Sequence, residues 1–119
     1  MKTQSRPIVL VVAFAIGIVI AYLLFSTLAA AQGGAEARGM AVYDHWCAPC
    51  HAPGPGHPGT QSLEIKYRGE LPAVLTERED LTPETVKTFV RNGTLLMAPF
   101  RKTEITDSEL DDLATYLSD

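Results

Sequence analysis

Cysteine, tryptophan and positive charge are all scarce in this sequence. Its 119 residues hold two Cys, one Trp and three His, with 10 Lys and Arg against 14 Asp and Glu. Lys2 and Arg6 precede a long apolar run, so the rest of the chain carries eight basic and 14 acidic residues, a formal charge of −6. That sign excludes a nucleic-acid binder, which needs a basic footprint. It fits docking on a basic patch of a partner protein, or plain solubility. Two cysteines leave no second pair to complete a zinc site. No strand–helix–strand pattern surrounds them, which counts against a thioredoxin-like couple. A structural disulfide stays open. There are no internal repeats and no hairpin signal, so the remaining class is a small all-α domain.

What is present begins with Ile8 to Phe25, 18 residues without a charge. Lys2 and Arg6 in front, and the small residues before a cut after Ala31, describe a secretory signal peptide over residues 1–31. The run is longer than the usual h-region and close to the ~20 residues that span a bilayer. Two outcomes stay open: cleavage, or retention as an anchor that holds the membrane through residues 8–28. In both, the charges keep the N-terminus inside and put the rest in the periplasm. A buried helix of a soluble protein is a third option, disfavoured because the run has no polar face. Residues 32–119 form the domain. At roughly 85 residues a hydrophobic core alone is marginal, and a staple or large apolar insert is expected.

Gln32-Gly33-Gly34 reads as a flexible joint. A helix follows from about Ala35 to Cys47, with Gly39, Tyr43 and Cys47 on one face. Ala52 to Gly59, with three prolines and three glycines, is a loop. Residues 60–80 read as short helical turns and loops. Thr82 is the expected N-cap of the next helix, with Pro83 at its first position and Glu84 at the positive end of its dipole. Asn92-Gly93 stops it, and a loop from Thr94 to Thr103 holds Met97 and Pro99. Thr106 and Glu109 make a capping box for the last helix, with Ile105 and Leu110 as its staple. Leu110, Leu113, Ala114 and Leu117 line its inner face.

Cys47-Ala48-Pro49-Cys50-His51 carries the chemistry. Two thiols three residues apart can bond the two vinyl groups of one haem as thioethers, and the next residue sets its imidazole under the iron. The second axial ligand comes from Met97, Met40, His45 or His57. Met40 and His45 lie on the helix that enters the motif, and His57 is only six residues past His51. Met97 is preferred: it sits in a loop stiffened by Pro99 and can swing over the far face. Its alternative role is core filling.

Gly39, Tyr43, the Cys47–His51 motif, Val90-Arg91-Asn92-Gly93, Met97-Ala98-Pro99-Phe100 and the capped last helix, in that order, resemble a class I cytochrome c over residues 35–118. The resemblance implies a few helices wrapped round one covalent haem c, preceded here by the N-terminal apolar helix. It implies that the first and last helices cross closely, at Gly39 and the Leu110/Leu113/Leu117 face. It implies His51 and Met97 on the iron and a proline carbonyl on the His51 N–H. Pro58 is the first choice for that proline, with Pro53 and Pro55 open, because the family's usual G-P-x-L is not intact. Donors for the haem propionates are sought among Trp46, Tyr67, Arg68, Arg78 and Arg101. Haem attachment in bacterial members is extracytoplasmic, which agrees with an export segment.

With both axial positions filled, the expected function is carriage of single electrons, not catalysis. Electrons would come from a periplasmic dehydrogenase or a respiratory complex and pass toward a terminal oxidase. Leu81 to Lys102 is similar to cytochrome subunits of flavin-dependent dehydrogenases of the 4-cresol type. A haem-based redox or gas sensor is the alternative. For docking, Glu104, Asp107, Glu109, Asp111 and Asp112 are expected to lie apart from the haem edge, with Arg78, Arg91, Arg101 and Lys102 near it. The rival is an apolar contact through Leu95, Leu96 and Phe100.

Overall fold

In the computed structural model, backbone is described for residues 5–118, and side chains for 10–24 and 34–118. Five α-helices follow one another: α1 (Ser5–Val42), α2 (Ala48–His51), α3 (Pro58–Tyr67), α4 (Pro83–Asn92) and α5 (Asp107–Ser118). A π-helical turn, Tyr43–Cys47, joins α1 to α2, and a 3-10 turn covers Leu75–Glu77. Among the described residues there is no strand, only an isolated bridge between Thr94 and Met97. The fold is all-α, as the sequence predicts.

The chain divides into two compact units, Met1–Gly33 and Gly34–Asp119. Lys2 lies outside the described residues, and so do the side chains around the expected cut after Ala31. Gln32-Gly33-Gly34, the expected joint, is helical and belongs to α1. Leu10 to Leu24 are all exposed. Among the described residues no helix is long and apolar enough to cross a membrane.

In the second unit the core joins Tyr43 and Cys47 to Val86 and Val90 of α4, to Ile105, and to Leu110, Leu113, Ala114 and Leu117 of α5. Each helix there ends for a local reason. The Thr82 hydroxyl accepts the Thr85 N–H at 3.2 Å, and Pro83 follows where a missing N–H does no harm. Thr106 and Glu109 exchange both bonds of a capping box, at 3.2 and 2.8 Å. Ile105, the staple residue, is fully buried. Gly93 at φ 66° closes α4.

Two elements differ from the expectation. Pro58 and Gly59 are the first turn of α3, not part of the preceding loop, because the proline fixes a helical φ at the first position. Residues 60–67 form the rest of that ten-residue helix. Its weak amphipathic pattern hid it: only Thr60 is buried, and Ile65 points to solvent.

Gly39 is buried where α1 crosses α5. A Cβ there would fall on the Asp112 carbonyl oxygen and 2.7 Å from the Tyr116 Cβ. The rings of Tyr43 and Tyr116 meet at 5.7 Å beside that crossing. The crossing is close at Gly39, as the resemblance implies, but it is made against Asp112 and Tyr116 and not against the Leu110/Leu113/Leu117 face, which lies in the core with Val86 and Val90.

Candidate functional site

Gly39 in α1, and Tyr43 and Cys47 at the two ends of the π-turn, are all buried. The Ala48 N–H reaches back to the Tyr43 carbonyl, which inserts one residue into the helix just ahead of the motif. Cys47 is then buried and Cys50 exposed, and both thiols are free. Burial pushes the Cys47 thiol up to about 11. Among the described residues no three His, Cys, Asp or Glu side chains gather as a metal cluster, so a zinc site gains no support.

His51 ends α2, half-buried, and desolvation holds its imidazole below the ordinary value of 6.5. That direction favours the unprotonated ring, the form in which imidazole binds iron. Its Nδ1 is buried without a hydrogen-bond partner. Two thiols, one at the end of the π-turn and one in α2, with an imidazole directly after the second, are the donor set that covalent haem needs.

Three bonds hold the motif's backbone. Tyr43 Oη donates to the His51 carbonyl at 3.0 Å. Thr60 Oγ1 donates to the Ala52 carbonyl at 2.9 Å. The Nδ1 of His57 lies 3.2 Å from the Pro49 carbonyl. Tyr43 entered the reading of the sequence only as a face residue, and Thr60 not at all. A buried threonine two residues after a proline leaves no sequence signal of this role.

The Met97 side stands on a second brace. The Thr94 and Met97 backbones exchange hydrogen bonds at 2.9 and 2.8 Å, which makes a tight turn. Leu95 and Leu96 form its tip, 102% and 94% exposed, and Leu95 has φ 46°. Gly93 permits the return of the chain, since a Cβ on it would meet the Met97 carbonyl and lie 2.9 Å from the Pro99 nitrogen. Arg91 reaches under the loop to the carbonyls of Phe100 and Ile105, at 3.1 and 2.9 Å. Met97 is half-buried and packs on the core that contains Cys47. Met40 and His45 are exposed on the entering helix.

The other expected residues have varied placements. Pro58 makes no bond to His51; its carbonyl accepts the Ser62 hydroxyl at 2.7 Å inside α3. Trp46 packs edge-on against Phe100 at 5.7 Å and against His45 at 4.7 Å, linking the motif to the Met97 loop. Tyr67 accepts from Arg78 at 2.9 Å, and the guanidinium also stacks on its ring at 4.8 Å. Arg78 is in turn held by Asp80. Arg68 is exposed, and its backbone at φ 51° ends α3.

The expected separation of charges is not found. Asp107 pairs with both Arg91 and Lys102, Glu104 with Arg101, Asp111 with Lys87 and Asp112 with Arg38. Glu109 is spent on the Thr106 cap. Acids and bases interleave because the fold brings Arg38, Lys87 and Arg91 to acids of α5, while Arg101 and Lys102 meet acids three and five residues further on.

The family described as cytochrome c oxidase, cbb3-type, subunit III matches residues 34–117. No curated protein and no solved structure matches the chain.

Proposed function

We propose that this chain, which belongs to the cbb3-type cytochrome c oxidase subunit III family of class I c-type cytochrome domains, is an exported carrier of single electrons with His51 and Met97 on its iron. The family binds covalent haem c and works in haem-based electron transfer. The observation that carries the reading is the Cys47–Cys50–His51 set, with Cys47 buried, Cys50 exposed, no disulfide between them and His51 half-buried at the end of α2. When bound, the haem supplies the one-electron couple. The chain orients the ligand, excludes water and presents an edge. The apolar N-terminal segment supports export to the periplasm, by signal peptide or by anchor. The half-buried Met97, on a turn fixed by Gly93 and Arg91, supports the sixth ligand.

Haem is expected to stay on the denatured protein through acid–acetone extraction, one per chain. Haem that extracts freely rejects the reading. Met97→Ala is expected to keep the haem, to lower its potential and to admit exogenous ligands. An unchanged spectrum and potential would move the sixth ligand to His57, His45 or Met40.

The donor is a respiratory complex or a periplasmic dehydrogenase, and similarity over Leu81–Lys102 favours one of the 4-cresol type. The paired cations near Met97 and the bare Leu95-Leu96 tip favour an apolar contact. Stopped-flow reduction by such a dehydrogenase is expected to vary little between about 0.05 and 0.5 M salt. It should slow at least fivefold when Leu95 and Leu96 are both replaced by serine. A steep fall with salt, and full speed in the double variant, would restore ionic steering.

A further inference from the structure

A histidine bound to a metal through one ring nitrogen nearly always donates the other N–H to a carbonyl, carboxylate or water, and that bond fixes the ring. In this chain Nδ1 of His51 is buried and no protein group accepts from it. What lies against it is a glycine. A Cβ built on Gly59 would stand 2.7 Å from His51 Cε1, 2.9 Å from His51 Nδ1 and 2.7 Å from the Cys50 carbonyl. Gly59 is the second residue of α3 and its φ is not in the left-handed region. Backbone conformation therefore gives no reason for glycine, and alanine would favour the helix by up to ~1 kcal/mol. The ring and the Cys50 carbonyl are the atoms that need the space.

The adjacent residue keeps this turn in place. Thr60 is the one buried polar residue of the described core, and its hydroxyl ties α3 to the Ala52 carbonyl, one residue past His51. Tyr43 holds the His51 carbonyl from the other side. Backbone and ring are both located by these contacts, with no carbonyl acceptor on the ring.

We propose that the first turn of α3 is the positioning element for His51: Gly59 lies bare against the edge of its ring, and Thr60 locks the turn to the haem-binding motif. The inference rests on the haem reading above. Packing sets the ring's tilt, and the tilt sets how strongly the imidazole donates to iron. Gly59 and Thr60 touch no reacting atom and act only through His51.

The test uses the full-length, haem-loaded protein, after acid–acetone extraction has shown that the wild type keeps its haem. Free haem at that step would reject the haem reading itself. Gly59→Ala is then expected to change the ratio of oxidised to reduced protein at a fixed ambient potential at least tenfold, a shift of either sign of about 59 mV for one electron. The paramagnetic resonance of the oxidised iron should change with it. Gly69→Ala is the control. Gly69 has φ +87° and open space around its missing Cβ, so alanine there strains the backbone away from His51. It should lower stability and leave the potential in place. Gly59→Ala with haem bound, wild-type potential and wild-type resonance would overturn the proposal, as would an equal shift in Gly69→Ala. If Gly59→Ala yields no holoprotein, Thr60→Val decides, because it leaves Gly59 and frees the turn. A shifted potential in that variant supports the proposal, and a wild-type potential overturns it.

Discussion

Gly39→Ala is expected to destabilise the haem-loaded domain by roughly 3 kcal/mol or more, at the upper end of overpacking costs. The size follows from what the methyl group would strike. Its nearest neighbours are the backbone carbonyl of Asp112 and the Cβ of Tyr116, both fixed in α5. No rotamer change relieves either contact, so α1 and α5 must part. Parting them also disturbs the contact between the Tyr43 and Tyr116 rings beside the crossing. Intrinsic propensity acts the other way, since alanine favours a helix over glycine by ~1 kcal/mol. Gly34→Ala isolates that gain. Its closest neighbour is the guanidinium end of Arg38 at 3.3 Å, a flexible and largely exposed group. Guanidinium unfolding followed at the haem band should give a large fall in midpoint for Gly39→Ala at unchanged slope, and no fall for Gly34→Ala. Equal midpoints in the two variants would mean that the helices do not cross as closely as the structure has them.

Arg91→Ala should be the second most damaging change, at about 2–4 kcal/mol. Arg91 holds the Met97 loop from beneath, through the carbonyls of Phe100 and Ile105. Truncation leaves both part-buried carbonyls without that donor, and each lost bond of this kind costs about 1–3 kcal/mol. The backbone bond from Phe100 N–H to the Val90 carbonyl remains, so the loop loosens without detaching. Arg91→Lys keeps the charge and loses the planar fork, and should recover less than half of the loss. Asp107→Asn separates the clamp from the ion pair. The Asp107 side chain is 61% exposed and shared with Lys102, so its removal should cost no more than about 1 kcal/mol. With Met97 as the proposed sixth ligand, the optical signature of sulfur on iron should weaken at lower temperature in Arg91→Ala than in the wild type. If Asp107→Asn proves as harmful as Arg91→Ala, the surface pair and not the carbonyl clamp stabilises the loop.

Arg91 also shows where reading by segment misleads. Its place beside Met97 in the sequence suggests a docking cation. Its long stem instead lets the guanidinium turn inward to two carbonyls that the loop's irregular backbone cannot pair by itself. Arg101 and Lys102 remain at the surface, where acids three and five residues further on neutralise them. Which ion pairs form depends on loop geometry, and the charge pattern along the chain does not contain it.

Local chemistry by itself determined the all-α class, the attachment motif, the Thr82 and Thr106 caps, the stop at Asn92-Gly93 and the buried face of α5. Each of these is an interaction among residues within about five positions of one another, so spacing alone expresses it. Gly39 came from the resemblance to the cytochrome family, which implies a close crossing of the first and last helices there. Only the tertiary structure decided that Pro58 and Gly59 open α3, that Gly59 faces the His51 ring, and that Thr60 is buried against Ala52. It alone turned Arg91 under the Met97 loop and left Leu95-Leu96 bare at the tip. These contacts join segments eight or more residues apart, or depend on a turn between them. Their energies are set by how the chain returns on itself, and a glycine, a threonine or an arginine looks the same in sequence whether it serves that return or lies idle on the surface.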